Sequence, residues 1–517
     1  MLRTDLIDTV PQLLSRQAAR LGNKTAFEDA GGRLSYADLD ATTACLAGHL
    51  QRLGLERSQT AALMLPNGIA WVQACLSIVR AGAAAVPISH DATQGEVAYR
   101  LADADCRTLF VTRERATLAK AAMAEIGRDI PLVIVERGEG VATGEAFAAL
   151  LASDPGEAPR DDLSIEAPAF VVYTSGTTGR AKGVLLSQHS MLWVNAACWA
   201  PIAGLGEDDF VYSPLPLFHS YALNLSVLSI VASGASEFIA ERFSTSETVK
   251  ALRSGRFTML PGVPTMFHYL LQDSAVGGGE RFPGLRLCVS AGAIMPAKLN
   301  TEFEGRFGVP LLDGYGITET STMVTMNWST GARVMGSCGL PLPAVATRIV
   351  DPVTGADVER GGEGELIVRG PNVMLGYLNK PAETAAALRD GWYRTGDLAR
   401  SDRDGFLTIT GRLKELIIRG GQNIAPAEVE EAILTFEGVS DCAVVGMPHP
   451  HLGEEPVVFV VPAPGGVVAE SDVIEHCRTK LSSYKVPKAV HLVAEIPRTG
   501  SGKIMRFRLR ETLSTPA

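Results

Sequence analysis

An apolar run, Ala169-Phe170-Val171-Val172, stops at Tyr173-Thr174-Ser175-Gly176-Thr177-Thr178-Gly179-Arg180-Ala181-Lys182-Gly183, and a second apolar run starts at Val184. The first run reads as a buried strand. Glycines in the segment after it let backbone N–H groups converge, and Ser and Thr hydroxyls add donors. Arg180 and Lys182 add positive charge, so the loop suits a polyphosphate. The pattern G-x-x-x-x-G-K-[ST] does not apply, because Lys182 is followed by Gly183 and the glycine spacing differs. Two more apolar runs end the same way. Leu287-Cys288-Val289-Ser290 leads into Ala291-Gly292-Ala293, and Pro310-Leu311-Leu312 leads into Asp313-Gly314-Tyr315-Gly316. In α/β sheets, ligands sit in the crevice beyond the carboxyl ends of strands.

The rest of the chain agrees with such a sheet. Ser35-Tyr36-Ala37-Asp38 is a helix-capping signature, and Leu39, Leu46, Leu50 and Leu53 then share one helical face. Strands are expected at 60–65, 84–88, 108–111 and 132–135, with a helix at 69–80 between the first two. Alternation of this kind predicts a largely parallel sheet covered by helices. Residues 152–168 read as an exposed connector. A helix is expected near 190–200. Tyr212-Ser213-Pro214-Leu215-Pro216-Leu217-Phe218-His219 is then forced into an extended path that presents His219. From Ala346 short strands and turns predict a β-rich subdomain. The last hundred residues predict a compact α+β unit: strands at 416–418, 442–445, 457–461 and 490–493, with helices from Pro426 and over 472–481.

Composition narrows the partners. A net charge of −10 and a pI near 5.5 exclude a general nucleic-acid surface, so a phosphate ligand must be held by local donors. The longest apolar stretch, Tyr221 to Ala232, is interrupted by Asn224, Ser226 and Ser229 and reads as a buried helix rather than a membrane span. No secretory signal is visible, and the eight cysteines are scattered without a C-x-x-C pair, as in a reduced cytoplasmic protein. His449 and His451 form H-x-H between prolines, which reads as a turn and not a metal site.

Six segments stand in one order: the Thr174–Gly183 loop; Pro216-Leu217-Phe218-His219; Tyr315-Gly316-Ile317-Thr318-Glu319; Tyr393-Arg394-Thr395-Gly396-Asp397; Gly411-Arg412-Leu413-Lys414-Glu415; and Pro497-Arg498-Thr499-Gly500-Ser501-Gly502-Lys503. In this the chain resembles the adenylate-forming superfamily of acyl-CoA synthetases, peptide-synthetase adenylation domains and beetle luciferases. It looks most like coumarate- and fatty acyl-CoA ligases, particularly at Phe218 to Asn224. The resemblance implies an α/β fold. A large N-terminal domain, residues 1–411, would hold helix-covered mixed sheets and the β-rich subdomain. A hinge at 412–414 would lead to a small, mobile α+β C-terminal domain at 415–517.

It also implies a chemistry. A carboxylate attacks the α-phosphorus of ATP to give an acyl-AMP and pyrophosphate, and a thiol then displaces AMP. By resemblance, Thr174, Ser175, Gly176, Thr177, Thr178, Gly179 and Lys182 would hold the β- and γ-phosphates. Glu319 would ligate Mg²⁺ and Thr318 would contact the α-phosphate. Tyr315 would stack on adenine in a pocket lined by Gly292, Ala293, Asp313, Gly314 and Gly316. Asp397 would bind the ribose, with Arg412 nearby and Gln422 near the adenylate. Lys503 would deliver a point charge to the adenylation step, and His219 would gate the acyl pocket. Lys414 matches the hinge, and Gly420 and Gly421 the wall of a pantetheine tunnel.

The residues after His219 bear on the substrate. Amino-acid-activating relatives place an Asp there, whereas this chain has Ser220-Tyr221-Ala222, so an acid without an α-amino group is expected. Tyr221, Ala291, Gly292, Gly316 and Met323 are the expected acyl-pocket residues, with Tyr221 available to bond a polar tail. Both aryl and medium- to long-chain acids remain open. Coenzyme A is the expected acceptor, with Lys485 and Lys488 as candidates for its 3′-phosphate. The alternatives are a carrier-protein thiol, an oxyanion such as nitrite with an amine acceptor, and a binding protein without catalysis. The intact set Glu319, Asp397, Arg412 and Lys503 argues against the last.

Overall fold

A computed structural model describes residues 2–136, 144–174, 181–273, 276, 280–463, 465, 466, 468–499, 502 and 504–514. Two large sheets dominate it. In the eight-stranded one, Pro168–Thr174, Ala84–Pro87, Thr60–Met64, Leu109–Thr112 and Leu132–Val135 lie side by side and parallel. Lys182–Ser187 returns antiparallel on Pro168–Thr174, and the short strand Gly376–Tyr377 closes that edge. The nine-stranded sheet has a parallel centre of Leu311–Tyr315, Leu287–Ser290, Met259–Gly262, Phe210–Ser213, Ser236–Ile239 and Thr25–Asp29. These are the helix-covered mixed sheets of an α/β protein. The strand centres are apolar on both faces, as a sheet covered on both sides requires.

Helices shared between the sheets form the middle of the molecule. Ile69–Arg80 is buried at every residue from Trp71 to Arg80, so it has no solvent face. Its terminal Arg80 donates from one guanidinium nitrogen to the Asp40 carbonyl and carboxylate, at 2.7 and 2.8 Å. Tyr221 to Ala232 is a buried helix as expected, but Leu223–Leu228 within it is a π-helix, and so is Asn195–Trp199. Asn224 explains the irregularity. Its amide donates to the Met191 carbonyl at 2.8 Å and accepts from Trp199 Nε1 at 2.7 Å, which holds the widened turn inward.

Beyond the sheets, Ala346–Val350, Gly364–Arg369, Trp392–Ser401 and Leu407–Arg412 form an antiparallel meander. A further sheet is built from Ile417–Arg419, Gln422–Ile424, Val439–His449, Gly453–Pro462 and Ala489–Leu492, and has its own apolar clusters. Arg506 pins it internally through Glu415 and Glu430. All eight cysteines are free, seven buried and Cys45 half-buried. Among the described residues no helix is long and apolar enough to cross a membrane.

Glu237, in the strand Ser236–Ile239, is fully buried, and neither carboxyl oxygen has a hydrogen-bond partner. Burial holds this carboxyl well above its ordinary value of 4.5, offset only in part by the nearby Ser226 hydroxyl. The folded chain therefore keeps a proton that the unfolded chain releases. Stability from this group is complete below about pH 4.5 and falls by about 1.4 kcal/mol per pH unit above it, until the folded group itself ionises. Glu237→Gln should stabilise the chain at pH 8, and the gain should vanish near pH 4.5, in urea unfolding at a series of pH values. A gain independent of pH would contradict a protonated carboxyl.

Candidate active site

At the carboxyl ends of Leu287–Ser290 and Leu311–Tyr315 stand Gly292, Gly314 and Gly316, and the last two are tightly packed. A Cβ at Gly314 would lie 2.3 Å from Met323 Cε, and one at Gly316 would lie 1.8 Å from the Thr322 carbonyl oxygen. Glycine is thus required there by close approach. Asp313 and Ser290 are paired across these strands, both buried, and Asp313 Oδ1 and Ser290 Oγ lack hydrogen-bond partners. Burial pushes the Asp313 carboxyl well above its ordinary range. Unpartnered buried polar atoms at strand ends leave capacity for a polar ligand.

Asp397 joins this corner to the antiparallel meander. It is 2% exposed, accepts from the Tyr315 phenol at 2.6 Å, and pairs with Arg412 Nε at 2.7 Å. The register that places Asp397 opposite Arg412 on adjacent strands sets this pair. Burial, then the Asp397 charge, raises the Tyr315 phenol well above its ordinary value, so it stays protonated and donates. A carboxylate has about four acceptor sites, and the phenol and the guanidinium each engage one of the Asp397 oxygens.

Thr318 and Glu319 lie on the next turn. Thr318 Oγ1 and Ser220 Oγ are 3.1 Å apart, which ties this turn to the residue after His219. Glu319 Oε1 accepts from the Tyr377 phenol at 3.0 Å. Burial raises the Glu319 carboxyl, and its own backbone N–H and the phenol pull it partly back. Thr174 pairs with Lys182 across the mouth of the loop, and the Lys182 ammonium lies 4.9 Å from the centre of the Tyr377 ring.

Beside this cluster is a narrow cleft, partly open to solvent, lined by Leu215, Pro216, His219, Tyr221, Ala222, Val263, Met266 and Gly292. The described lining holds no lysine, arginine or carboxylate. Tyr221 stacks on Trp199, with centroids 6.1 Å apart at 25°, and its hydroxyl donates to the Val289 carbonyl at 3.3 Å. The phenol expected to meet a polar tail is therefore already occupied by backbone. Ala291 and Met323, also expected in the pocket, are buried outside this lining, with Met323 packed on Gly314.

Ser175, Gly176, Thr177, Thr178, Gly179 and Lys503 lie outside the described residues. The neighbour of Lys503 is informative: a Cβ on Gly502 would sit 3.0 Å from Val263 Cγ2, at the wall of the cavity. Ala293 is half-buried beside Gly292. Lys414, Gly420, Gly421 and Gln422 are exposed, the last three at the end of the hairpin 417–424. Lys485 is clamped by Glu428 at 2.6 and 2.7 Å, which weakens its reading as part of a basic patch. His449 accepts from the backbone N–H of His451 and Leu452, a turn as expected.

The sequence pattern of the AMP-binding enzyme family matches residues 14–378, and that of the AMP-binding enzyme C-terminal domain matches 428–503. The chain belongs to the AMP-binding enzyme family. It is 34% identical to a sulfoacetate–CoA ligase of Cupriavidus necator over 98% of each chain. It is 34% identical to a feruloyl-CoA synthase of Amycolatopsis, covering 96% of this chain and 97% of that one. Among solved structures, ATP-bound MatB from Rhodopseudomonas palustris superposes with a TM-score of 0.89 at 31% identity, covering 97% of this chain and 98% of that one. The apo form of the same protein gives 0.79 over the same shares.

Two residues of this AMP-binding enzyme's site have no counterpart in the sequence reading. One is Tyr377, an isolated aromatic in a turn-rich segment. The other is Asn67, whose amide donates to the Leu215 carbonyl at 2.8 Å and accepts from Leu217 N–H at 2.9 Å, splinting the extended path to His219. The only signal for Asn67 is its place in a Pro-Asn-Gly turn. Asn67→Ala leaves these backbone groups unpaired. It should cost about 2 kcal/mol of stability in urea unfolding, and a loss within experimental error would show that the splint is replaceable.

Proposed function

We propose that this AMP-binding enzyme is an ATP-dependent, AMP-forming acid–CoA ligase for a compact acid that carries neither an α-amino group nor a second anionic group. The observation that carries this reading is the cavity. It is narrow, apolar, closed by stacked Tyr221 and Trp199, and adjoins the Tyr315–Asp397–Arg412 and Glu319 cluster. An ammonium would need an anionic partner that the described lining lacks, and a second anion would find His219 alone. The narrowness of the cleft favours an aryl or short-chain acid over a long acyl chain.

The chemistry follows from charge. A carboxylate oxygen attacks the α-phosphorus of ATP, the bond to the β-phosphate bridging oxygen breaks, and pyrophosphate leaves with its electron pair. The CoA thiolate then attacks the acyl carbon and AMP leaves. The first step brings anions together, so the site's task is placement and charge compensation. On this reading Asp397 accepts the ribose hydroxyls, Tyr315 stacks on adenine, and the free polar atoms of Asp313 and Ser290 face the base edge. Thr174, the loop to Gly179 and Lys182 hold the distal phosphates. His219 stands at the pocket mouth.

Glu319 fits a nucleotide-borne Mg²⁺: it is a single carboxylate, and among the described residues no three His, Cys, Asp or Glu side chains converge into a closed cage. When bound, the ion would neutralise phosphate charge. The contact of Gly502 with Val263, and the closer likeness to ATP-bound than to apo MatB, support a C-terminal pose in which Lys503 reaches the acyl carboxylate. Rotation about Lys414 would then bring Gly420 and Gly421 to the thiol's path.

Pyrophosphate release with a panel of acids, with and without CoA, tests the reading. Small aryl acids should exceed C12 and longer fatty acids by about tenfold or more in kcat/KM. CoA-independent turnover with nitrite and an amine, or a requirement for a carrier protein, would replace it. Asp397→Asn should raise KM for ATP by about tenfold, and an unchanged KM would remove it from the ribose site. Lys503→Ala should abolish adenylation while sparing thioester formation from supplied acyl-AMP, and equal loss of both would refute its role.

A further inference from the structure

Tyr377 lies on the strap 374–378, which is bonded on both sides. Met374 N–H donates to the Glu319 carbonyl at 2.8 Å. Leu375 and Leu378 N–H groups donate to the Leu185 and Gly183 carbonyls, at 2.9 and 2.8 Å. The strap therefore spans from the Glu319 turn to the strand that begins at Lys182. Gly376, with φ +151°, admits the close approach of Thr384, whose hydroxyl accepts from Tyr377 N–H at 2.9 Å. These contacts fix where the phenol points. Its hydroxyl donates to Glu319 Oε1 at 3.0 Å, and its ring lies 4.9 Å from the Lys182 ammonium.

We propose that Tyr377 is a positioning residue that couples the metal carboxylate to the triphosphate lysine: the hydroxyl orients Glu319, and the ring face holds Lys182. The two functions sit on different parts of one side chain. Glu319 has two oxygens, and engaging one fixes the rotation of the other toward an ion. A hydrogen bond of this kind to a ligating carboxylate sets its direction and basicity. An ammonium over a tyrosine face is attracted by the ring quadrupole, which keeps the lysine's flexible stem extended without neutralising its charge as a carboxylate would.

This inference rests on the reading of Glu319 as the Mg²⁺ carboxylate, and the test separates the two. The probe is Mn²⁺ binding, followed by electron paramagnetic resonance, to enzyme saturated with a non-hydrolysable ATP analogue. Analogue affinity is measured separately by calorimetry in excess Mg²⁺. Tyr377→Phe keeps the ring and loses the hydroxyl. It should weaken Mn²⁺ by about tenfold with analogue affinity in excess Mg²⁺ nearly unchanged, and excess Mg²⁺ should restore kcat. Tyr377→Leu loses both and should also weaken the analogue several-fold, by roughly the strength of one cation–π contact. Glu319→Gln serves as control. If it weakens Mn²⁺ and Tyr377→Phe does not, the positioning role is wrong while the site reading stands. If neither moves Mn²⁺, both are wrong. Thermal melts of each variant identify one that fails to fold. Should Tyr377→Leu do so, Tyr377→Met replaces it: an analogue loss that disappears in a Lys182→Met background supports the ring's hold on Lys182, and no loss, or one that Lys182→Met leaves unchanged, overturns it.

Discussion

The Asp397 carboxylate is nearly sealed from solvent and is held by a phenol on one side and a guanidinium on the other. Those three groups come from three segments: the end of Leu311–Tyr315, the long strand Trp392–Ser401, and the end of Leu407–Arg412. An isolated buried carboxylate would be costly, so the pairings are obligatory. Meeting them forces the antiparallel meander to close on the mouth of the nine-stranded sheet. The floor of the corner proposed to take the nucleotide is thereby fixed by the fold itself. A site that must oppose anion to anion gains from donors whose orientation was settled during folding.

The same economy governs the acyl side. Asn67, in a turn after Thr60–Met64 of one sheet, splints the path that follows Phe210–Ser213 of the other. The His219 segment is thus positioned by both sheets. Behind it, the π turns at Asn195–Trp199 and Leu223–Leu228 place Trp199 against Tyr221, and the Asn224 amide locks that stack. Pocket depth is consequently a property of the buried helical layer, not of exposed loops. Substitutions that only trim the lining would still meet Trp199.

Much of the framework was legible in the chain because its signals are redundant. The strands near Thr60, Ala84 and Leu132 are short β-branched or apolar runs bounded by turns, and the structure has them within a residue or two. Ser35 caps the helix Tyr36–Arg52 through the Asp38 N–H. The π turns were not legible, since an apolar run has the same composition in either winding and only the partner of Asn224 decides between them. Tyr221 shows the same limit. A sequence displays a phenol, but only the fold reveals that the Val289 carbonyl has already claimed it. Tyr377 carries no periodic signal, and its meaning arises from residues some sixty and two hundred positions away.

Charge reconciles the site with the rest of the molecule. The chain carries −10 overall, yet the chemistry it supports handles a triphosphate, a carboxylate and a thiol cofactor that is itself anionic. A uniformly basic surface would attract these ligands and also every other polyanion. On the proposed reading, positive character at the site is confined to Lys182, Arg412 and Lys503, which makes attraction depend on fitting the crevice. Two of those three cations are held in check: Lys182 by an uncharged ring, Arg412 by Asp397. On the proposed reading the third comes from the unit that carries Gly502, which has its own apolar core and reaches Val263 at the cavity wall. If that unit rotates as proposed, full compensation of the anions exists in one pose and lapses in another. That is the condition for releasing pyrophosphate before the thiol enters.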